Sequence, residues 1–398
     1  MTVNQRSVVI TLGFCGLVSA ADNWFVSPAL PAIAQTLAVV PSVAAVVLTA
    51  YLIPYGMLQP VCGAIGDRVG RQRLLRVIVL GLAISTVVCA AAPTLETLVA
   101  ARILTGCFAA GIISVSQALV GDVVPAEERA GAVGLLMGIT FTGQGLSAGL
   151  GGLITDLVGW RAAFASFGVL GLLAWLCLLR LRGISEALPA VEEQRSPLGE
   201  ARDFLERAAC LFFRQGRAIY LTACSTGIIY LGVYGFMGTF LSERCGLSST
   251  ASGLLMMFYG VACLVGGTIS GRIAARGGLL RVIQAGEASG LCAVIFLAAS
   301  TLTGSWVPAL GAAACLGLGY ILVQPTLVSL SMDVDPSQTG LCTGLIGLGV
   351  FAGGGVGSVL GQIAIGAGGY LALWTCAGIA LVAQTVIGTC ALARRERA

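Results

Sequence analysis

Long apolar stretches, separated by short polar connections, run through almost the whole chain. A helix of about 20 mostly apolar residues crosses the hydrocarbon core of a lipid bilayer. The pattern therefore predicts an all-α membrane protein with twelve transmembrane helices, numbered spans 1 to 12, at roughly 8–34, 41–65, 74–93, 96–120, 131–156, 161–182, 218–241, 250–273, 281–302, 306–330, 339–366 and 369–393.

The connection between spans 6 and 7, at 183–217, is the one long connection and holds a large share of the charge. Ser196 and Pro197 form a typical helix start, and the sequence after them has an apolar and a charged face. This pattern predicts an interfacial helix that links two halves, with a plain linker as the alternative. The predicted domains are a six-helix bundle at 1–182, the linker, and a second six-helix bundle at 218–398.

The positions of the arginines predict the orientation of the chain. If the N-terminus lies in the cytoplasm, nineteen of the 22 basic residues fall on the cytoplasmic side. Arg161 and Arg244 then lie outside, and Arg102 lies within span 4. This asymmetry follows the rule that cytoplasmic loops are rich in basic residues. We therefore expect a multi-pass protein of the cell (inner, cytoplasmic) membrane with both termini in the cytoplasm.

Composition narrows the function. The chain is 57% apolar and 10% charged, which excludes an ordinary soluble enzyme. It contains no His and no Lys, so it has neither a histidine for nucleophile activation nor the lysine of an ATP-binding loop. Its 14 cysteines are scattered without a C-x-x-C pair, which favours apolar packing over metal binding. The sequence predicts no enzyme activity, no metal and no cofactor.

The two halves of the chain resemble each other. The sequence GAIGDRVGRQRLLRVI at 63–78 is repeated in part at 267–283, with a slip of one residue. The glycine pattern of 134–154 in span 5 is repeated at 344–364 in span 11. Two six-span halves in the same direction imply a pseudo-twofold axis along the membrane normal. This is the architecture of alternating-access carriers, which bind substrate near the midplane between the halves.

The loop between spans 2 and 3 carries the most specific motif in the chain. Gly63, Asp67, Arg68, Gly70 and Arg71 fill a Gly-x-x-x-Asp-Arg-x-Gly-Arg pattern. This pattern resembles the loop signature of the major facilitator superfamily. The resemblance implies two pseudo-symmetric bundles of six helices and transport by alternating access.

Three further segments resemble the 12-span drug:proton antiporters of that superfamily. ARILTGCFAAG at 101–111 is similar to the span-4 motif, and DNWFVSPALPAIAQTL at 22–37 is similar to the span-1 motif. Span 5 matches the antiporter motif in its glycines, but Ser147 and Ala148 stand where the motif has Gly-Pro. This departure keeps a symporter open as an alternative.

Asp22 is the candidate proton-coupling residue. It lies near the centre of span 1, where an ionised carboxylate costs on the order of 3 kcal/mol. A carboxyl group that is protonated in one access state and ionised in another meets the minimum requirement for proton coupling. A structural Asp bonded to a neighbouring helix is the alternative. The resemblance implies that Arg102 faces the cavity and modulates a carboxylate; an arginine snorkelling to the interface is the alternative, and contact with Asp22 is left open.

A second set of charged residues lies at the cytoplasmic ends of spans 2 to 4. The resemblance implies that Asp67 caps a helix of the second half, which a helix N-terminus favours, and that Arg71 pairs with Asp122. With Arg68, these residues are the predicted gating group, and ordinary topogenic charge is the alternative. Elsewhere we expect Glu287 to pair with or snorkel towards Arg281 and Arg276, with a proton site as the alternative, and the Asp156 and Arg161 pair to be structural.

Aromatic and amide residues at plausible cavity positions are the candidate substrate-binding set. Aromatic rings with a few amides suit an amphipathic or aromatic solute held mainly by burial, although plain helix packing explains any one of them equally well. Little fixed charge lies among them, which argues against a polyanionic substrate. The set comprises Asn23, Trp24, Tyr51, Tyr55, Gln117, Gln144, Tyr230, Tyr234, Tyr320 and Gln324.

The sequence thus predicts a proton-coupled secondary active transporter that exports small amphipathic or aromatic compounds. The alternative is a proton symporter that imports a small neutral or anionic nutrient. An intramembrane enzyme is disfavoured because no Ser/His pair or paired carboxylates occur in the spans, and a receptor would need an added soluble domain. The expected partners are a small-molecule substrate, protons and the lipid bilayer, with no nucleic acid, and we expect a monomer.

Overall fold

The computed structural model describes residues 3–181, 197–335 and 338–396, and within these residues the regular structure is helical. The first half contains nine helices, which are α1 (Val3–Trp24), α2 (Val26–Thr36), α3 (Pro41–Ala44), α4 (Val46–Val69), α5 (Arg71–Ala90), α6 (Leu95–Ala109), α7 (Ile112–Val123), α8 (Ala126–Val158) and α9 (Trp160–Arg180). Spans 1 to 6 correspond to α1 with α2, α3 with α4, α5, α6 with α7, α8 and α9.

The second half begins with α10 and contains seven described helices. These are α10 (Pro197–Cys210), α11 (Arg217–Thr226), α12 (Gly232–Cys245), α13 (Ser249–Thr303), α14 (Val307–Met332), α15 (Thr339–Gly347) and α16 (Gly353–Glu396). The backbone leaves helical geometry at Gly278 inside α13 and at Gly368 and Gly369 inside α16. Each of these two long helices therefore contains two spans.

Ten described stretches are long and apolar enough to cross a membrane. One of them, Gly340–Leu392, includes the bend at Gly368 and Gly369 and so contains both span 11 and span 12. The remaining span is α8, a helix of 33 residues whose many glycines lower its hydropathy. At about 1.5 Å per residue it is longer than the bilayer core is thick. The described helices thus account for all twelve predicted spans.

Helix breaks within the spans have local causes. The turn at Phe25 separates α1 from α2. Pro28 lacks the N–H that would bond to Trp24 O, which weakens the helix at this point. Spans 7 and 11 each contain one π-helical turn, at Gly227–Leu231 and Leu348–Ala352. Single π turns of this kind often mark functional positions.

The two ends of the bundle differ in charge. Gln5 Nε2 donates to Val123 O at 3.0 Å, which places the start of α1 beside the end of α7. Arg71 Nη1 donates to Ala118 O at 3.1 Å, so the turn between α4 and α5 lies at the same end. Gly70 makes this turn at φ 93°, a conformation that glycine adopts readily. We call this the arginine-rich end and the opposite one the distal end.

The two halves pack against each other from the middle of the bundle to the distal end. Gly145 of α8 and Gly260 of α13 touch so closely that a Cβ added to Gly260 would overlap the Gly145 backbone. Ser27 Oγ accepts a hydrogen bond from Gly238 N at 3.2 Å, and donates to Gly235 O at 2.9 Å. Glycines at the crossing points let the helices approach closely, as is common in membranes.

Glycines towards the arginine-rich end have different surroundings. An added Cβ would meet no atom within 4 Å at Gly63, Gly121, Gly138, Gly267, Gly271 and Gly340. The described glycines of the distal interface would instead clash with the other half. The halves are thus held together most closely at the distal end, although spans 2 and 11 still touch towards the arginine-rich end, where Gly344 lies against Pro60 and Gly347 against Gln59.

The connection between the halves is described from residue 197 onwards, so the first part of the predicted linker, 183–196 of 183–217, lies outside the described residues. The predicted helix is present as α10. Arg202 Nε donates to Glu206 Oε1 at 2.7 Å on its exposed face. Leu205 and Phe213 are 65% and 64% exposed. Exposed apolar side chains beside charged ones are compatible with the predicted interfacial position.

Candidate functional site

A buried ion pair joins spans 1 and 4 inside the first half. Arg102 Nη1 donates to Asp22 Oδ2 at 2.6 Å, and also to Asp22 O at 3.4 Å. The side chains are 0% and 1% exposed respectively. Thr86 Oγ1 of span 3 donates to Asp22 Oδ1 at 2.9 Å. Both carboxylate oxygens of Asp22 therefore have a partner, as a buried charge requires.

Aromatic rings enclose the arginine of this pair. The Arg102 guanidinium carbon lies 4.2 Å from the centre of the Tyr51 ring and 5.7 Å from that of Phe164. A desolvated cation over an aromatic face gains about 2 kcal/mol. Arg102 thus lies among the helices of the first half and does not line the pocket described next, whereas the resemblance implied that it faces the cavity. It reaches Asp22 and does not snorkel.

A pocket lies next to the ion pair, between spans 1, 2 and 7. It has a volume of about 20 Å³, room for about one water molecule, and is lined by Asn23, Trp24, Ser27, Leu48, Leu52, Leu231, Tyr234 and Gly235. Asn23 and Trp24 directly follow Asp22 in the chain, at the break between α1 and α2. The proton-coupling candidate and the pocket thus share one short segment of backbone.

An aromatic cluster continues from the pocket into the second half. The ring centre of Trp24 lies 4.2 Å from that of Tyr234 and 4.5 Å from that of Tyr259. Tyr320 lies 6.2 Å from Tyr259 and 6.4 Å from Tyr230. These rings come from spans 1, 7, 8 and 10. Four predicted substrate-binding residues, together with Tyr259, therefore form one surface between the halves.

The other predicted substrate-binding residues lie elsewhere. Tyr51 packs on Arg102, and the ring of Tyr55 lies 4.5 Å from that of Phe351 in span 11. Gln117 Nε2 donates to Met137 Sδ at 3.1 Å inside the first half. Gln144 is buried and Gln324 is partly buried. None of these five predicted residues is among those that line the pocket.

Two of the four predicted gating residues, Arg71 and Asp122, contact each other. Arg71 Nη1 lies 2.5 Å from Asp122 Oδ2, so the pair that the resemblance implied between spans 3 and 4 is present. Arg68 is exposed at the end of α4. Asp67 lies in the last turn of α4, and its side chain is outside what the structure describes. The predicted helix cap by Asp67 therefore stays a prediction.

Asp156 makes the helix cap that the sequence did not reveal, at the distal end. Its Oδ1 accepts from Ser249 N at 3.1 Å, and its Oδ2 accepts from Thr250 N. A carboxylate on the first turn of α13 interacts favourably with the helix dipole. Arg161 instead donates to Ala92 O at 2.8 Å. Asp156 thus ties the first half to the second rather than pairing with Arg161.

Several other site residues have no distinctive sequence signal. Thr86 is one threonine in an apolar helix, and its position opposite Asp22 depends on packing. Leu48, Leu52 and Leu231 line the pocket but are indistinguishable in sequence from lipid-facing leucines. Ser27 has a weak signal, since it lies between the pocket residue Trp24 and the motif residue Pro28.

A comparison with known families decides what kind of protein carries this arrangement. Residues 12–358 match the family model of the Major Facilitator Superfamily. The chain belongs to this superfamily. Its members are membrane transporters of small molecules built from twelve helices in two bundles, and they are not enzymes. The predicted family, fold class and absence of enzyme activity are therefore confirmed.

Relatives within the superfamily are distant. The uncharacterized MFS-type transporter YwfA of Bacillus subtilis (strain 168) is 27% identical over 277 residues, which are 69% of this chain and 65% of that protein. Citrate exporter 1 of Aspergillus niger is 25% identical over 296 residues, 67% of this chain and 56% of that protein. The chain thus aligns with 65% and 56% of the length of these two relatives, less than two thirds in each case.

A solved superfamily structure covers the whole fold. The D-xylose-proton symporter superposes on the chain with a TM-score of 0.74 and 16% sequence identity, over 96% of each chain. At this identity the likeness shows the fold alone. It leaves the transported substrate and the direction of transport to be inferred from the residues of this chain.

Proposed function

We propose that the protein is a proton-coupled secondary active transporter that exports small amphipathic or aromatic compounds by alternating access. One observation carries the proposal. The buried Asp22–Arg102 pair, with both Asp22 oxygens bonded, lies immediately before the pocket residues Asn23 and Trp24. The residue best suited to bind a proton is thus joined by backbone to the residues best suited to contact substrate.

Proton binding to Asp22 changes the balance of charge in the first half. The neutral acid loses most of its attraction to Arg102, which then retains the Tyr51 ring as its main contact. The freed Asp22 side chain lies near Phe25, where the helical backbone is interrupted between α1 and α2. Occupation of the pocket at Asn23 and Trp24 acts on the same break. Protonation and substrate binding therefore favour different arrangements of this segment, which is the basis of exchange.

The residues that line the pocket support amphipathic or aromatic compounds as the substrate class. Leu48, Leu52 and Leu231 offer apolar surface, and the rings of Trp24 and Tyr234 offer faces for stacking. Such a pocket gains affinity mainly through burial of apolar surface. Arg102 contacts the residue next to this pocket, and its charge is paired with Asp22. A tricarboxylate such as the substrate named for citrate exporter 1 would lack the positive charges it needs.

The contacts at the two ends of the bundle support the access state that we propose. With the arginine-rich end in the cytoplasm, as the distribution of arginines favours, both termini are cytoplasmic and the distal end faces outwards. Ser27, Asp156 and the Gly145–Gly260 contact then close the outer side. Loading from the cytoplasm, as an exporter requires, then needs spans 2 and 11 to separate where Tyr55 meets Phe351 and Pro60 meets Gly344. Arg71 and Asp122, with Arg68 and Asp67, act in closing the cytoplasmic side in the alternate state.

A vesicle assay tests the direction of coupling. Acid-loaded inside-out vesicles that contain the protein are exposed to a panel of aromatic dyes and drugs, and the internal pH is followed. An antiporter releases protons as it takes up compound, so the pH gradient collapses when a transported compound is added. A symporter leaves the gradient in place under these conditions. Maintenance of the gradient with a compound that accumulates in the vesicles would overturn the proposed antiport.

A further inference from the structure

A second buried carboxyl group lies in the other half of the molecule. Glu287, in the second part of α13, is 0% exposed. Its Oε1 accepts a hydrogen bond from Gln384 Nε2 of span 12 at 3.2 Å. Gln384 Nε2 also donates to Thr226 Oγ1 of span 7 at 3.0 Å. Glu287 is therefore buried between three spans, instead of pairing with Arg281 or snorkelling towards Arg276 as the sequence suggested.

Two oxygen atoms of this cluster lack a hydrogen-bond donor. Glu287 Oε2 and Gln384 Oε1 are both buried and have no hydrogen-bond partner among the described residues. Both atoms are acceptors when the carboxyl group is ionised. An ionised carboxylate in this position would have hydrogen bonds from Gln384 and Thr385 but no charged partner among the described residues, and a buried charge is costly unless it is paired.

The charges around Glu287 do not supply the missing compensation. On its own helix the nearest arginine is Arg281, which is exposed and lies six residues closer to the arginine-rich end, about 9 Å along the axis. Span 10 meets this region through Leu322 and Val323 beside Gly286. Span 7 contributes one titratable side chain, Tyr230, whose hydroxyl donates to Gly286 O at 2.9 Å.

Span 12 contributes Gln384 and Thr385, neither of which is charged. Among the described residues, then, no ion pair includes Glu287. The described side chains around Glu287 therefore offer hydrogen bonds but no compensating positive charge.

We propose that Glu287 is a second proton-binding site, occupied at neutral pH and independent of Asp22. A proton on Oε2 supplies the donor that Gln384 Oε1 lacks, while Oε1 continues to accept from Gln384 Nε2. One proton thus converts two unpartnered acceptors into one hydrogen bond. The resulting acid–amide pair has no net charge and joins span 9 to span 12.

The site is connected to the aromatic cluster between the halves. Tyr230 bonds to the backbone of Gly286, next to Glu287, and its ring is 6.4 Å from that of Tyr320. Tyr230 lies in the π-helical turn of span 7, where the backbone departs from regular α-helical hydrogen bonding. Loss of the Glu287 proton would leave a buried negative charge beside Gln384 and Tyr230. The side chain of Gln384, of Tyr230 or of both would then move. The inference concerns protonation alone and does not rest on the proposed transport.

Infrared spectroscopy of the full-length protein in lipid nanodiscs tests the site directly. A protonated carboxylic acid has a C=O stretch that a carboxylate lacks. The wild-type spectrum at pH 7 minus that of Glu287→Gln should show this band, and Asp22→Asn should retain it. Gln384→Leu keeps the acid but removes its amide partner, so the band should move to higher frequency. A wild-type spectrum without the Glu287 band at pH 7, or a band unmoved in Gln384→Leu, would overturn the proposal.

Thermal unfolding provides a second readout that also distinguishes a proton from a metal cation. If the folded chain holds the Glu287 proton as proposed, wild-type stability should fall as the pH rises from 5 to 8, because proton binding to the folded state then contributes less. Glu287→Gln, which keeps an amide pair with Gln384, should lack this part of the slope. The two Glu287 oxygens and Gln384 Oε1 could also serve as ligands of a metal cation. The scan is therefore repeated with sodium chloride and with choline chloride, whose cation is too large for such a site. A stabilisation by sodium that Glu287→Gln abolishes would replace the proton with a bound cation.

Discussion

Removing one partner of the Asp22–Arg102 pair should destabilise the protein more than removing both. At 2.6 Å and an effective dielectric constant of about 20, the attraction between the two charges is about 6 kcal/mol. Desolvation costs several kcal/mol for each ion and offsets most of this attraction. The intact pair is therefore close to neutral for stability, whereas a single buried charge left without its partner costs about 3–5 kcal/mol.

The variants Asp22→Asn and Arg102→Met separate these contributions. In Asp22→Asn the guanidinium keeps the Tyr51 ring but loses its counter-charge, and in Arg102→Met the carboxylate keeps only Thr86. We expect each single variant to lose about 3 kcal/mol of unfolding free energy. The double variant, which contains no buried charge at this position, should lose less than about 2 kcal/mol, so that the two changes are strongly non-additive.

Unfolding of the purified protein by SDS titration, followed by tryptophan fluorescence, measures these differences. The exposed Arg202–Glu206 pair of α10 provides the matched control. Its single and double variants should each change stability by less than about 0.5 kcal/mol. If the double variant of the buried pair loses the full sum of the two single losses, about 6 kcal/mol, the two residues act independently and the reasoning is refuted.

Three further predictions concern closure of the distal end and the pocket. Asp156→Asn should weaken the cap on α13 by about 0.5–1 kcal/mol and shift spin-label distances across the distal end towards longer values; unchanged distances would show that the cap does not hold the halves together. Gly260→Ala should abolish transport because its Cβ overlaps Gly145, while Gly271→Ala, which meets open space, should transport normally in the same vesicles. Tyr234→Ala should raise the Kd for aromatic compounds about two- to tenfold, which corresponds to the ~0.5–1.5 kcal/mol of an aromatic contact, and unchanged binding by isothermal calorimetry would exclude Tyr234 from the site.

The fold is predictable because a membrane imposes it. Apolar stretches of bilayer length and the asymmetry of the arginines point to the same twelve spans, and the repeat relates the two halves. Local interruptions are harder to place. Pro28 indicates a weak point near Phe25, but the bend at Gly278 lies among glycines and arginines that resemble an ordinary loop.

The site is only partly predictable because its contacts join distant positions. Asp22 stands out as a carboxylate in an apolar helix, yet its partner Arg102 lies 80 residues away and Thr86 lies 64 residues away. Glu287 stands out in the same way, but Gln384, 97 residues further on, decides that it is buried rather than snorkelling. A single sequence carries no record of such pairings.

Apolar residues of the pocket are missed for a different reason. Leu48 and Leu231 face a cavity, whereas Leu104 and Leu302 are exposed to the surroundings. All four lie in predicted spans. Only the packing of the helices distinguishes a leucine that lines the pocket from one on the outer surface of the bundle.

The most direct test of proton coupling through Asp22 measures proton movement driven by substrate alone. Purified protein is reconstituted into liposomes that contain a pH-sensitive dye, and an outward gradient of a transported aromatic compound is imposed without a pH gradient. Wild-type protein and the exposed control Glu206→Gln should drive protons inwards, against the movement of the compound. Asp22→Asn should bind the compound but move no protons. Proton movement at the wild-type rate in Asp22→Asn would contradict the proposed role of this carboxylate.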